Sequence, residues 1–165
     1  MLDRLSIQFG ISQTALDWSR SYLVGRRQFV KIGNHSSPLI SSLSGVPQRS
    51  VLGPLLFAVY VSPIGEVISS HGTRYHKFAD DTQLYLSMKA DDCGADLATL
   101  ASCTSFAKLW YLLNHLLLNA RKSEATMFAT NYQQRSASDV KCLSVVGAGL
   151  PLSSMMRSLE VYIRG

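Results

Sequence analysis

Two adjacent carboxylates, Asp80 and Asp81, stand between two β-prone runs, Thr73-Arg74-Tyr75-His76-Lys77 and Thr82-Gln83-Leu84-Tyr85-Leu86. The pattern predicts a tight hairpin with Phe78-Ala79-Asp80-Asp81 at its tip. Carboxylate oxygens are preferred ligands of hard divalent cations, and a rigid turn would hold two of them side by side. Ions held in this way stabilise the attacking and leaving oxygens of phosphoryl transfer. The same dipeptide also suits a plain solvated turn, because Asp tolerates turn geometry. The neighbouring segments decide between the two.

At 165 residues, 47% of them hydrophobic and 16% charged, the chain is long and apolar enough to form one packed domain. Its +5 net charge and pI near 9.3 favour an acidic partner, of which nucleic acid is the commonest. The basic residues are dispersed, among them Arg26-Arg27, Arg74, Lys77, Arg121-Lys122 and Arg157, so no polybasic tail or membrane-surface patch stands out. Cys93, Cys103 and Cys142 are odd in number and lack Cys-x-x-Cys spacing. No disulfide partner and no zinc site are expected, and the compartment is read as reducing and intracellular, nuclear or cytoplasmic. His35, His71, His76 and His115 show no helical pairing that would ligate a metal. The longest apolar stretch, Val51 to Val61, is interrupted by Gly53 and Pro54 and falls short of a membrane span. The first residues do not make a signal peptide; they open in apolar-periodic sequence, as though inside a domain already under way.

Around the carboxylates the elements alternate. Ser12 or Gln13 to Leu23 is expected to be a helix stopped at Gly25. Arg27 to Ile32 reads as a strand, turned at Gly33-Asn34 toward a second strand near Leu39-Ile40. Ser41 to Gln48 is a loop. Ser50 to Val61 reads as a buried helix with Ser50 as N-cap and Pro54 in the first turn. After the hairpin, Asp91 or Asp92 would cap a long helix to about Leu118, with Leu100, Cys103, Ala107, Trp110 and Asn114 at helical period. Asn119 to Ser123 is a loop, Ala125 to Ala129 a strand, and Leu143–Val146 and Leu159–Ile163 short strands, with Thr130 to Ser138 a polar stretch between. Phe57, Tyr60 and the Leu112–Leu118 run read as core. The order β-α-β-β-α-β predicts an α+β fold, a short antiparallel sheet backed by helices.

These segments together resemble the palm of a reverse transcriptase, specifically of the non-LTR (LINE-type) retrotransposon class. Ser44-Gly45-Val46-Pro47-Gln48-Arg49-Ser50-Val51-Leu52-Gly53-Pro54-Leu55-Leu56-Phe57 is similar to the family's second palm motif, S-G-V-P-Q-G-S-x-L-G-P-x-L-F. Phe78-Ala79-Asp80-Asp81 resembles its (Tyr/Phe)-Ala-Asp-Asp motif, continued by Thr82-Gln83-Leu84-Tyr85. Trp110, Asn114 and the run Leu116 to Glu124 resemble the fourth motif, and Leu159-Glu160-Val161-Tyr162-Ile163 the start of the primer grip. The resemblance implies a partial polymerase palm across residues 1–165 and RNA-directed DNA synthesis. It implies Asp80 and Asp81 as catalytic metal ligands for two Mg²⁺ ions, and Lys122 as a catalytic group toward the triphosphate. Gly45, Pro47, Gln48 and Arg49 would face nucleotide and template, and the partners would be an RNA template, a DNA primer and a deoxynucleoside triphosphate. Arg26, Arg27 and Lys31 are read either as contacts to template phosphates or as a solvated face.

Two departures bear on activity. Two-metal chemistry needs carboxylates from two sequence-distant places. In the family the other Asp lies in the first palm motif, upstream of the helix matched by Leu16 to Leu23; neither Asp3 nor Asp17 takes that place. The chain therefore reads as starting past its first catalytic Asp, without fingers or thumb, and as inactive alone. Its alternative is a non-catalytic nucleic-acid-binding or interaction remnant. The second departure is Arg49 where the family carries Gly, strained if that position takes a conformation open chiefly to Gly. An unrelated phosphotransferase would need a phosphate-cradling Gly-x-x-x-x-Gly-Lys-Ser/Thr loop, which does not occur.

Overall fold

A computed structural model describes residues 1–46, 49–88, 93–129, 142–145, 148–153, 155–158 and 161–164. Pro47, Gln48, Asp91, Asp92, the polar stretch from Thr130, Val146, Leu159 and Glu160 lie outside the described residues. The chain divides into two units, Met1–Ser62 and Pro63–Gly165. Helices and short, mostly antiparallel sheets make it α+β, as expected.

The first unit runs α1 (Leu2–Ile7), α2 (Gln13–Leu23), β1 (Arg27–Gln28), β2 (Lys31–Ile32), β3 (His35–Ser36), β4 (Ile40–Ser41) and α3 (Gly53–Val61). Leu5 of α1 meets Leu56 and Val59, one turn apart on α3, and Leu2, Leu16, Tyr22, Leu23 and Leu52 close around them. The Arg4 guanidinium lies 4.7 Å from the Tyr60 ring centroid and donates to the Tyr60 carbonyl, tying α1 to the end of α3. The single strand expected over Arg27–Ile32 is broken at Phe29-Val30: β1 pairs with β4 and β2 with β3, the latter across the Gly33-Asn34 turn. The break is bridged by Ser37, whose N–H donates to the Val30 carbonyl and whose hydroxyl accepts from the Val30 N–H, both at 2.9 Å.

The buried helix starts later than Ser50. Leu52 occupies the N-cap and Pro54 the first turn, where a missing N–H removes no helical bond. Arg49 turns into the left-handed region, and the Ser50 carbonyl accepts from the Gly53 N–H at 3.2 Å, so residues 50–52 form a turn ahead of the helix. Among the described residues Ser50 Oγ is buried without a hydrogen-bond partner, and it does not cap α3.

The second unit begins with a helix the sequence reading did not foresee, α4 (Ile64–Ser69), followed by β5 (Arg74–Phe78), β6 (Asp81–Tyr85) and α5 (Cys93–Leu113). Ile64 and Ile68, at i and i+4 on α4, are fully buried, as is Cys103 of α5; Gly65, Thr73, Thr104, Ala107 and Tyr111 are the other buried residues described in this unit. Burying an isoleucine side chain is worth roughly 1.5–3 kcal/mol, so α4 is a main source of this unit's stability. It packs on both α5 and β5. The contact with β5 is close: a Cβ on the buried Gly65 would run into Tyr75 Oη and lie 2.7 Å from its Cζ. Beyond α4, the His71 ring stacks obliquely on Phe106 of α5 at 4.8 Å. Inside the second unit the hairpin is held by α4 and α5.

The long helix ends five residues before Leu118. The Leu116 N–H reaches back to the Tyr111 carbonyl (2.8 Å) and the His115 N–H to the Leu112 carbonyl (3.0 Å), with His115 at φ +56°. This is a Schellman motif with His where Gly is usual, so periodicity alone gave no stop signal. Leu112, Leu113 and Leu117 are consequently exposed, against the expectation that this run is core. The chain then forms a 3₁₀ turn (Ala120–Lys122), β7 (Ala125–Thr126), β8 (Cys142–Val145), β9 (Ala148–Ser153), β10 (Met155–Ser158) and β11 (Val161–Arg164). β9 sits between β7, parallel to it, and β8, antiparallel; β10 and β11 form a separate antiparallel pair.

Gly65→Ala is expected to displace the Tyr75 ring and lower stability by about 1–3 kcal/mol, the usual cost of overfilling a close contact. A thermal melt measures it, and Tyr75→Leu in the same chain should recover most of the loss.

Candidate active site

The hairpin is tighter than its sequence suggested. Phe78 and Asp81 are a directly opposed β5–β6 pair, so the loop is only Ala79-Asp80, and Asp81 is the first residue of a strand. Two-residue hairpins use turns with positive φ, because these match the strand twist. Here Ala79 carries it, at φ +52°, a position normally filled by Gly. An L-residue with a side chain in this region costs about 1–2 kcal/mol. The surrounding contacts are large enough to hold it there.

Strand alternation assigns the faces. Tyr75 against Gly65 and the Thr82 hydroxyl, 3.4 Å from that of Tyr111, put the pairs Tyr75–Leu84 and Lys77–Thr82 toward α4 and α5. Burial pushes the Lys77 amine below its ordinary range, in keeping with that side. The pairs Phe78–Asp81, His76–Gln83 and Arg74–Tyr85 therefore share the opposite face, and Asp81, Phe78, His76, Arg74 and Tyr85 are all exposed on it. Asp80, at the turn, is exposed too. The two carboxylates are thus adjacent, solvent-facing and rigidly based. Their acceptor-only oxygens suit a hard divalent cation. Among the described residues no group of three or more His, Cys, Asp or Glu is placed to hold a metal ion, so the pair stands as a two-carboxylate set.

Lys122 is exposed at the end of the 3₁₀ turn. That turn is fixed locally: the Asn119 side chain accepts from the Arg121 N–H (3.2 Å), and the Asn119 carbonyl accepts from the Lys122 N–H (3.0 Å) and the Ser123 hydroxyl (3.2 Å). No hydrogen bond or ion pair joins Lys122 to Asp80 or Asp81 among the described residues. Gly45 and Arg49 belong to the first unit, Asp80, Asp81 and Lys122 to the second; Pro47 and Gln48 are outside the described residues. Gly45, at φ +75° with open space where a Cβ would stand, turns the loop freely. Arg49 adopts φ +60°, the conformation open chiefly to Gly that its replacement of a family glycine made the point at issue. The left-handed Ala79 had no sequence signal, since nothing in Phe-Ala-Asp-Asp distinguishes a four-residue tip from a two-residue one.

Burial pushes the Cys103 thiol above its ordinary range, and the neighbouring Thr73 hydroxyl pulls it partly back. Among the described residues neither Cys93 nor Cys103 forms a disulfide. The Cys103 thiol is inert packing material.

Arg49→Gly and Ala79→Gly should each raise stability by about 1 kcal/mol, because both relieve a left-handed side chain. Denaturant melts measure this. A loss of stability on either change would show that the backbone there is not strained.

Among the described residues no helix is long and apolar enough to cross a membrane. The reverse transcriptase (RNA-dependent DNA polymerase) family matches residues 2–150. Searches of curated proteins and of solved structures returned no match. That family generally uses divalent metal ions and binds nucleic acid and nucleotides. With the match running through the second-motif loop, the carboxylate hairpin and the Lys122 turn, the chain belongs to the reverse transcriptase family.

Proposed function

We propose that residues 1–165 are the partial palm of a non-LTR (LINE-type) retrotransposon reverse transcriptase, with Asp80 and Asp81 as its metal-binding carboxylates. The observation that carries this is the Ala79-Asp80 turn: a strained two-residue loop holds one carboxylate at its tip and the next at the first position of an exposed strand face. Strain held at a site by surrounding structure is a mark of function. Mg²⁺ bound there would supply Lewis-acid stabilisation of the oxygens exchanged when a primer 3′-hydroxyl attacks a deoxynucleotide α-phosphate. Asp80 is the principal ligand and Asp81 the supporting one. The open face beside them offers Phe78 and Tyr85 for stacking and Arg74 for a phosphate. Lys122, on its fixed turn, is a point charge for the triphosphate. Gly45, Pro47, Gln48 and Arg49 face nucleotide and template.

A second reading, nucleic-acid binding without catalysis, is favoured by the charge distribution. From Trp18 to Gly65 there is no Asp or Glu, while Arg20, Arg26, Arg27, Lys31 and Arg49 all fall in that span. Arg27 and Lys31 lie on the exposed β1 and β2. Such a stretch binds phosphates through counterion release. Two-metal chemistry needs carboxylates from two sequence-distant places, and among the described residues no third ligand joins Asp80 and Asp81, so the chain is expected to bind but not to polymerise.

Purified chain should bind a DNA primer annealed to an RNA template, more weakly as salt rises, and should not extend it with Mg²⁺ or Mn²⁺. Templated extension would contradict the inactive reading. Absence of binding at low salt would contradict both readings.

A further inference from the structure

Arg26 sits between the end of α2 and the start of β1 and does not point its guanidinium freely into solvent. Nε donates to the Leu23 carbonyl at 3.1 Å, near the helix end. Nη2 donates to the Ser44 carbonyl at 3.3 Å and to the Gly45 carbonyl. The Arg26 main chain adds a fourth hydrogen bond, its carbonyl accepting from the Ser42 N–H at 2.8 Å. The next pair, Arg27 and Ser41, closes β1 on β4. One residue therefore grips the loop at Ser42, Ser44 and Gly45 and joins it to a helix terminus, whose last carbonyls lack helical partners.

We propose that Arg26 is a positioning residue that sets the backbone of the Ser42–Val46 loop, rather than a phosphate contact. The planar fork of a guanidinium can serve the helix end and the loop together, whereas a lysine ammonium cannot hold both in that fixed geometry. The loop needs such an external fastening. Leu43 is 95% exposed, Gly45 imposes no conformation of its own, and a strained Arg49 follows. Its relevance to function rests on the reading of the Gly45–Arg49 segment as facing nucleotide and template. Arg27, whose β1 position is exposed, is the phosphate-contacting member of the Arg-Arg pair.

The test compares Arg26→Lys, Arg26→Gln and Arg27→Gln in the full chain by limited thermolysin cleavage at Leu43 and by primer–template binding across a salt series. Both Arg26 variants should be cleaved about tenfold faster than the parent, the effect of losing one to two net hydrogen bonds. Arg27→Gln should be cleaved at the parent rate. Arg26→Lys should bind primer–template more weakly with an unchanged salt slope, whereas Arg27→Gln should lower the slope by about one. Parent-like cleavage of Arg26→Lys, or a salt slope reduced in that variant, would overturn the proposal. If the parent chain binds no primer–template, the functional reading of the loop fails, while the cleavage rates still decide the role of Arg26.

Discussion

The hairpin depends on one backbone constraint, the positive φ of Ala79. Because Phe78 and Asp81 pair directly, the turn has two residues, and its first must be left-handed for the strands to keep their twist. The choice places Asp80 at the turn and Asp81 at the first strand position, in one local frame. A longer or looser tip would leave two Asp side chains in a mobile loop, free to solvate separately. The cost of the left-handed alanine, about 1–2 kcal/mol, is small against the burial of Ile64 and Ile68 beneath the same hairpin. Packing therefore wins, and the strain persists.

That packing comes from α4 and α5. Gly65 lets the Tyr75 ring lie directly on α4, and the Thr82–Tyr111 hydroxyl contact reaches α5 from the neighbouring strand. Both contacts lie on the face away from Asp81. The hairpin is thus held from behind and left open in front, where Arg74, two aromatic rings and a carboxylate share one surface. The same division recurs in the first unit on a smaller scale. Leu5, Leu56 and Val59 form its core, while the segment from Arg27 to Ser41 is exposed throughout and basic. In both units the buried side carries the stability and the exposed side carries the charge.

Much of this was legible in sequence. Alternation around Asp80-Asp81 gave the hairpin, helical spacing gave α2 and the Cys103–Ala107 stripe of α5, and Pro54 gave the first turn of α3. Four ordered motifs gave the family. Failures arose where backbone conformation, not side-chain pattern, decided the outcome. Arg49 pulled the start of α3 past Ser50, and His115 stopped α5 before Leu118, each adopting a left-handed conformation without the usual glycine. Phe29-Val30 broke a strand whose alternation was unbroken in sequence. The helix α4 was missed because Ile64–Ser69 is too short for its period to register. Arg26 illustrates the limit for charge: its type suggested a phosphate, and only the positions of three carbonyls show that its Nε and Nη2 are engaged within the chain.

The central claim is that Asp80 and Asp81 form a two-carboxylate divalent-cation site on a rigid turn. Adding Mn²⁺ in steps to the ¹⁵N-labelled chain tests it most directly. Paramagnetic broadening should concentrate at residues 78–83 with a weak affinity, on the order of 10⁻³ M, and should vanish in the Asp80→Asn/Asp81→Asn chain. Broadening spread evenly over the acidic surface, or unchanged in the doubly substituted chain, would contradict the account.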